Sequence, residues 1–207
     1  MTIIAPGYNV EGSPAAGFVK NDGSGNFIFG EPGGGGPGSA AWELVEKKDI
    51  ASAVTSITFS GLDGDTDEQY MMLYRIRTPG ATTLAFTMRP NGITANQNTV
   101  IRTLSSSGTA ATSVFPSLRI VGGGTSIVKQ WNGLLYFDAQ TGTTARQFFA
   151  HNTIRISSTS MGFGGLRSDE VVGSWDDTTT NITSLDIVCD LTNGIGIGSQ
   201  FSLYKRS

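Results

Sequence analysis

From residue 42 onward, large apolar side chains recur at every second position. Thr55, Ile57 and Phe59 fall on one face of an extended segment. In residues 70–77, Tyr70, Met72, Tyr74 and Ile76 oppose Met71, Leu73, Arg75 and Arg77. Leu84, Phe86 and Met88 alternate likewise, as do Phe148 with Ala150, Ile154 with Ile156, Leu185 with Ile187 and Cys189, and Phe201 with Leu203. Successive side chains of a strand point to opposite faces, so a period of two predicts strands with one face buried and one wetted. That is the habit of antiparallel sheets.

Turn signals separate these runs: Asp63-Gly64-Asp65, Thr78-Pro79-Gly80, Arg89-Pro90-Asn91-Gly92, Gly122-Gly123-Gly124, Asn132-Gly133, Thr141-Gly142, Gly164-Gly165 and Asn193-Gly194. Strands spaced in this way predict an all-β fold, an antiparallel β-sandwich of jelly-roll-like kind, rather than alternating strands and helices. Residues 42–53 are the one helix candidate, and their Leu44 and Val45 suit a first strand as well. No period of 20 to 50 residues repeats, which argues against a solenoid or propeller.

The pattern stops upstream of residue 42. The run Gly30-Glu31-Pro32-Gly33-Gly34-Gly35-Gly36-Pro37-Gly38 cannot hold regular structure, because glycine is costly to order and proline supplies no amide donor. Residues 31–40 are therefore expected to be a hinge between an extended arm, residues 1–30, and a β domain, residues 41–207. Within the arm, Phe18 to Lys20 and Phe27 to Phe29 flank Asn21-Asp22-Gly23-Ser24-Gly25-Asn26, whose residue types favour tight turns. A small hairpin is expected there, and two strands alone are marginal in water, so it should lean on a neighbour.

The stretch Gly17-Phe18-Val19-Lys20-Asn21-Asp22-Gly23-Ser24-Gly25-Asn26 resembles a short segment that recurs in tailed-bacteriophage virion proteins, above all fibres and other surface appendages. A second resemblance lies in the β domain: Trp42-Glu43-Leu44, Ile57-Thr58-Phe59-Ser60-Gly61-Leu62-Asp63-Gly64-Asp65, Tyr70, and the closing Phe201-Ser202-Leu203-Tyr204-Lys205 are similar to the skeleton of phage structural proteins of like length. The resemblance implies a virion component, often a homotrimer, with a β-sandwich head and no catalytic residues, and it favours a strand over a helix at residues 42–53. The expected function is that of a capsid decoration or head-fibre-like protein on the particle surface, made in the host cytoplasm. Phe18, Val19, Lys20, Asp22, Phe27, Ile28 and Phe29 would anchor it to the major capsid protein or another virion protein, by strand addition or groove docking. The alternative is a tail-fibre or tail-tip protein that binds a receptor or carbohydrate.

Composition narrows the remaining classes. The chain has 207 residues, of which 28 are glycine and 15% charged, a balance suited to a turn-rich β protein. A net charge of −3 with scattered Lys and Arg speaks against a nucleic-acid partner. No apolar run is long enough to span a bilayer, so no membrane insertion is expected. Met1-Thr2-Ile3-Ile4-Ala5 lacks a basic start and Pro6-Gly7 interrupts it, unlike a secretory signal. The single Cys189 sits in an apolar alternation and is expected to be a packed thiol.

Candidate chemistry is sparse, and neither a cofactor nor catalysis is expected. Asp63, Asp65 and Asp67 alternate as calcium ligands could, but the calcium-loop pattern fails at Glu68 and Tyr74, and Asp and Gly serve a turn equally well. His151 is the only histidine and no Gly-x-Ser-x-Gly elbow is present. Asp169, Glu170, Asp176 and Asp177 read as a solvated loop rather than a glycosidase pair. The glycine runs 33–36 and 122–124 lack the Lys-Ser/Thr ending of a phosphate loop. Trp131, Phe163 and Trp175 lie near turn signals, where a sandwich would present a sugar- or receptor-binding tip; the competing expectation is that they pack at its ends or between subunits.

Overall fold

Tyr70, Met72, Tyr74 and Ile76 are buried along a strand whose intervening residues are half-buried or exposed, as the period of two requires. The computed structural model describes residues 18–21, 27–30, 41–79, 84–105, 110–121, 128–156 and 165–206, and the chain divides into two units, Met1–Ala41 and Trp42–Ser207. In the first unit, β1 (Phe18–Asn21) and β2 (Phe27–Gly30) pair antiparallel, with Asn21 opposite Phe27. This is the expected hairpin; its turn, Asp22 included, lies outside the described residues.

The second unit is all-β and forms an antiparallel sandwich. Its strands are β3 (Glu43–Asp49), β4 (Ser56–Ser60), β5 (Gln69–Arg77), β6 (Phe86–Pro90), β7 (Gln97–Ser105), β8 (Ala110–Phe115), β9 (Arg119–Val121), β10 (Val128–Asp138), β11 (Arg146–Ile156), β12 (Gly165–Trp175), β13 (Ser184–Cys189) and β14 (Gln200–Arg206). One sheet has eight strands in the order β3-β14-β5-β10-β11-β12-β7-β8; the other has four, in the order β4-β13-β6-β9. Residues 43–49 are thus a strand at the edge of the larger sheet.

The core lies between the sheets. Ile57, Phe59, Phe86, Met88, Leu185 and Ile187 from the smaller sheet meet Met72, Ile76, Leu135, Phe137, Phe201 and Leu203 from the larger. Burying each such side chain is worth about 1.5–3 kcal/mol relative to exposure. Cys189 is a packed thiol, free, buried and with its pKa raised by that burial.

Two sequence expectations are corrected here. Asn132-Gly133 is not a turn but the middle of β10, paired to β5 on one side and β11 on the other. Glycine stands at position 133 for close packing: a Cβ there would lie 2.4 Å from the Tyr74 ring. Asp169 and Glu170 are not in a solvated loop but inside β12, with Asp169 fully buried and Glu170 on the opposite face. Strand pairing with β11 and β7 supplies the order that a charged dipeptide conceals.

A polar set crosses the core where β9 forms the edge of the smaller sheet. Tyr74 donates its hydroxyl to Asn152 Oδ1, and Asn152 Nδ2 donates to the Ile120 carbonyl at 2.6 Å. Thr99 Oγ1 donates to the Ser117 carbonyl at 2.5 Å and accepts from the Arg119 amide at 3.1 Å. A short edge strand leaves main-chain groups without a ladder partner, and these side chains of the larger sheet satisfy them. Burial, followed by the charge of Asp169, pushes the Tyr74 hydroxyl pKa far above its ordinary value, so Tyr74 stays a neutral donor.

Candidate interaction surface

Of the three aromatic residues weighed for a binding tip, Trp131 and Trp175 are packed inside the sandwich, in line with the competing expectation that they pack rather than bind. Trp131 is 1% exposed and Trp175 is fully buried, each on the core face of its strand. Trp131 meets Phe86 edge to face, with centroids 5.3 Å apart, and the Arg146 guanidinium lies 4.9 Å from the Trp175 ring centroid. Among the described residues neither indole nitrogen has a hydrogen-bond partner, so both rings serve as volume. Their nearness in sequence to glycine and aspartate does not put them in loops, because the side-chain period continues through Gly133 and up to Asp176. Phe163 lies outside the described residues.

The acidic loop is a turn whose carboxylates are spent on separate partners. Asp63 accepts from Asn181 Nδ2 at 2.9 Å and from Thr66 Oγ1 at 2.9 Å, which lowers its pKa. Asp65 accepts from Thr141 Oγ1 at 2.7 Å. Asp67 is buried, takes the Tyr70 hydroxyl at 2.8 Å and pairs with Lys205 at 3.1 Å. Among the described residues no three His, Cys, Asp or Glu side chains are grouped to hold a metal ion. The anchoring candidates Phe18, Val19, Lys20, Phe27, Ile28 and Phe29 lie on the paired strands β1 and β2.

His151 is exposed on the outer face of β11, with Nε2 2.9 Å from Ser168 Oγ on β12. A hydroxyl beside an imidazole is half of a nucleophilic arrangement, which also needs a carboxylate to orient the ring. Glu170, the register partner of His151, faces Arg102 instead, at 3.9 Å.

The feature that sequence reasoning missed is on the solvent side of the larger sheet. Strand register places Leu44 beside Tyr204, Tyr204 beside Met71, and Met71 beside Tyr136. Tyr136 then neighbours Phe149, Phe149 neighbours Val172, Val172 neighbours Val100, and Val100 neighbours Val114. One apolar or aromatic side chain from each of eight strands thus forms a single row across the sheet. Phe149 is 41% exposed, Val172 50% and Val114 70%. Leu73 and Leu134, themselves register partners, widen the row at β5 and β10. Trp42 contacts it from above, its ring centroid 5.9 Å from that of Tyr136.

Part of the row floors a depression of about 490 Å³, where Tyr136, Phe149, Val172 and Val100 are exposed. Asp138, Gln147, Ser174 and Asn98 line one side of it. Gly173 lets the floor close: a Cβ there would come within 2.0 Å of the Phe148 ring on the core side. The site is an apolar strip with polar flanks. A signal existed in the sequence, since Tyr136, Phe149, Val172 and Val100 all occupy positions that alternation assigns to water; only strand register aligns them.

No protein-family model matches the chain, and no curated protein matches it.

Proposed function

We propose that this chain is a non-enzymatic structural protein of a tailed-bacteriophage particle, of the capsid-decoration or head-fibre kind. Residues 1–30 fasten it to the major capsid protein or another virion protein, residues 31–40 act as a hinge, and the sandwich is displayed on the particle surface. The observation that carries this reading is the two-stranded sheet of β1 and β2, which coincides with the segment resembling phage appendage proteins. Two strands give marginal stability in water, and each offers main-chain groups along one edge. Adding those strands to an exposed sheet edge of a shell protein satisfies them and supplies affinity through main-chain hydrogen bonds. A receptor-binding role at a tail tip loses support from Trp131 and Trp175, since both are core residues.

Deleting residues 1–38 tests the anchor. The expected product is a folded sandwich that no longer co-sediments with particles stripped of this protein, whereas the full chain rebinds them. Undiminished binding by the truncated chain overturns the reading.

A further inference from the structure

A β-sandwich in water normally presents polar residues on the outer face of each sheet. This sheet departs from that rule at one register position in every strand, from Leu44 on β3 to Val114 on β8. Strands lie about 4.8 Å apart, so eight of them carry the row over about 34 Å. Six of the eight residues are exposed and the other two, Met71 and Tyr204, are half-buried; an apolar strip of that length marks a surface meant to be covered.

We propose that the row is the surface through which one copy of this chain packs on a second copy, sheet face to sheet face. Size is the first reason. With one flanking residue on each side, the strip is about 20 Å wide and covers about 700 Å², close to the roughly 800 Å² that each partner contributes to a stable interface. Layout is the second. The two central positions are aromatic, Tyr136 and Phe149; Met71, Tyr204 and Leu44 lie to one side, and Val172, Val100 and Val114 to the other. Central aromatic anchors within a largely aliphatic surround are the usual energetic core of an interface. The flanks supply the polar rim: Asp138, Gln147 and Ser174 on one side, His151, Glu170 and Arg102 on the other. A sugar would use the aromatic pair and its carboxamide neighbours but would leave the aliphatic ends of the row uncovered. A second copy of the same strip covers it all.

The test is the mass of the purified full chain in solution, by light scattering at tens of micromolar. Because the same strip is used by both copies, the contact closes as a dimer, and the wild type is expected at twice 21.8 kDa. Phe149→Lys at the centre and Val114→Lys at the edge are each expected to reduce it to a single chain, with the far-UV circular dichroism of the wild type. Phe149→Ser, a milder change, is expected to weaken association about tenfold or more. A monomeric wild type, or an oligomer whose mass the three substitutions leave unchanged, overturns the proposal. A monomeric wild type that binds oligosaccharides on an array, and loses that binding in Phe149→Ser, assigns the strip to a glycan and likewise overturns it. Since this mass is measured without particles, its outcome is independent of whether residues 1–38 bind a shell.

Discussion

Gly133 on β10 lies directly opposite Tyr74 on β5, and the tyrosine ring occupies the space where a side chain at 133 would begin. A Cβ would sit 2.4 Å from Tyr74 Cζ and 2.6 Å from Asn152 Oδ1. The missing side chain is what allows the Tyr74 hydroxyl to reach Asn152, and through Asn152 the carbonyl of Ile120 in the opposite sheet. A glycine inside a strand thus serves a bond between the two layers of the sandwich.

Gly133→Ala is accordingly expected to destabilise the fold by about 1–3 kcal/mol, the usual range for overpacking a filled interior. Urea unfolding followed by tryptophan fluorescence measures it. Since the clash is with Tyr74, the double variant Gly133→Ala/Tyr74→Leu should cost less than the sum of its two single changes. Simple additivity would mean that the close approach has no energetic weight.

Trp175→Ala is expected to act through the core. Loss of a fully buried aromatic side chain costs about 3–5 kcal/mol, and the Arg146 guanidinium loses the ring beneath it. Arg146 is itself buried and donates to the Gln140 and Thr180 carbonyls at 3.1 and 2.7 Å, so the loops after β10 and β12 should loosen together. Hydrogen exchange in residues 139–145 and 176–182 should accelerate in step. A variant with unchanged unfolding midpoint and exchange would contradict this account.

Asp177 gives the fold a pH dependence. Hydrogen bonds from Thr180 above all, then Thr179, hold its carboxyl down at about 2, and its Oδ1 accepts the two amides at 2.9 and 3.0 Å. The ordinary value is about 3.9. A carboxyl whose native pKa is depressed contributes stability that is complete above the ordinary value and disappears as pH falls through the native one. The stability difference between wild type and Asp177→Ala should therefore be constant above about pH 5 and shrink toward zero between pH 4 and 2. A gap as large at pH 2 as at pH 6 would mean that the turn is held by something other than the ionised carboxylate.

How much was legible beforehand depends on whether a local rule or a distant partner set the outcome. Tyr70, Met72, Tyr74 and Ile76, or Leu185, Ile187 and Cys189, are placed by alternation alone, and the core received them as expected. Glycine was harder. The same residue marks the turn at Gly64 and makes room for Tyr74 at Gly133, and nothing in the neighbouring residues separates the two uses. Asp169 looked solvated because a carboxylate and its neighbour Glu170 are seldom in a core; its position on the inner face of β12 follows from the strands on either side.

The one-dimensional order of residues determined which side of each strand is apolar, because a period of two is a property of the strand itself. It determined the hairpin of β1 and β2 for the same local reason, a turn between two β-prone pieces. Tertiary structure alone decided which strands are neighbours and at what register. The outward-facing Tyr136, Phe149, Val172 and Val100 are therefore scattered exceptions when read along the chain. They become one continuous row only when long-range backbone pairing, across separations that no local propensity encodes, sets them side by side.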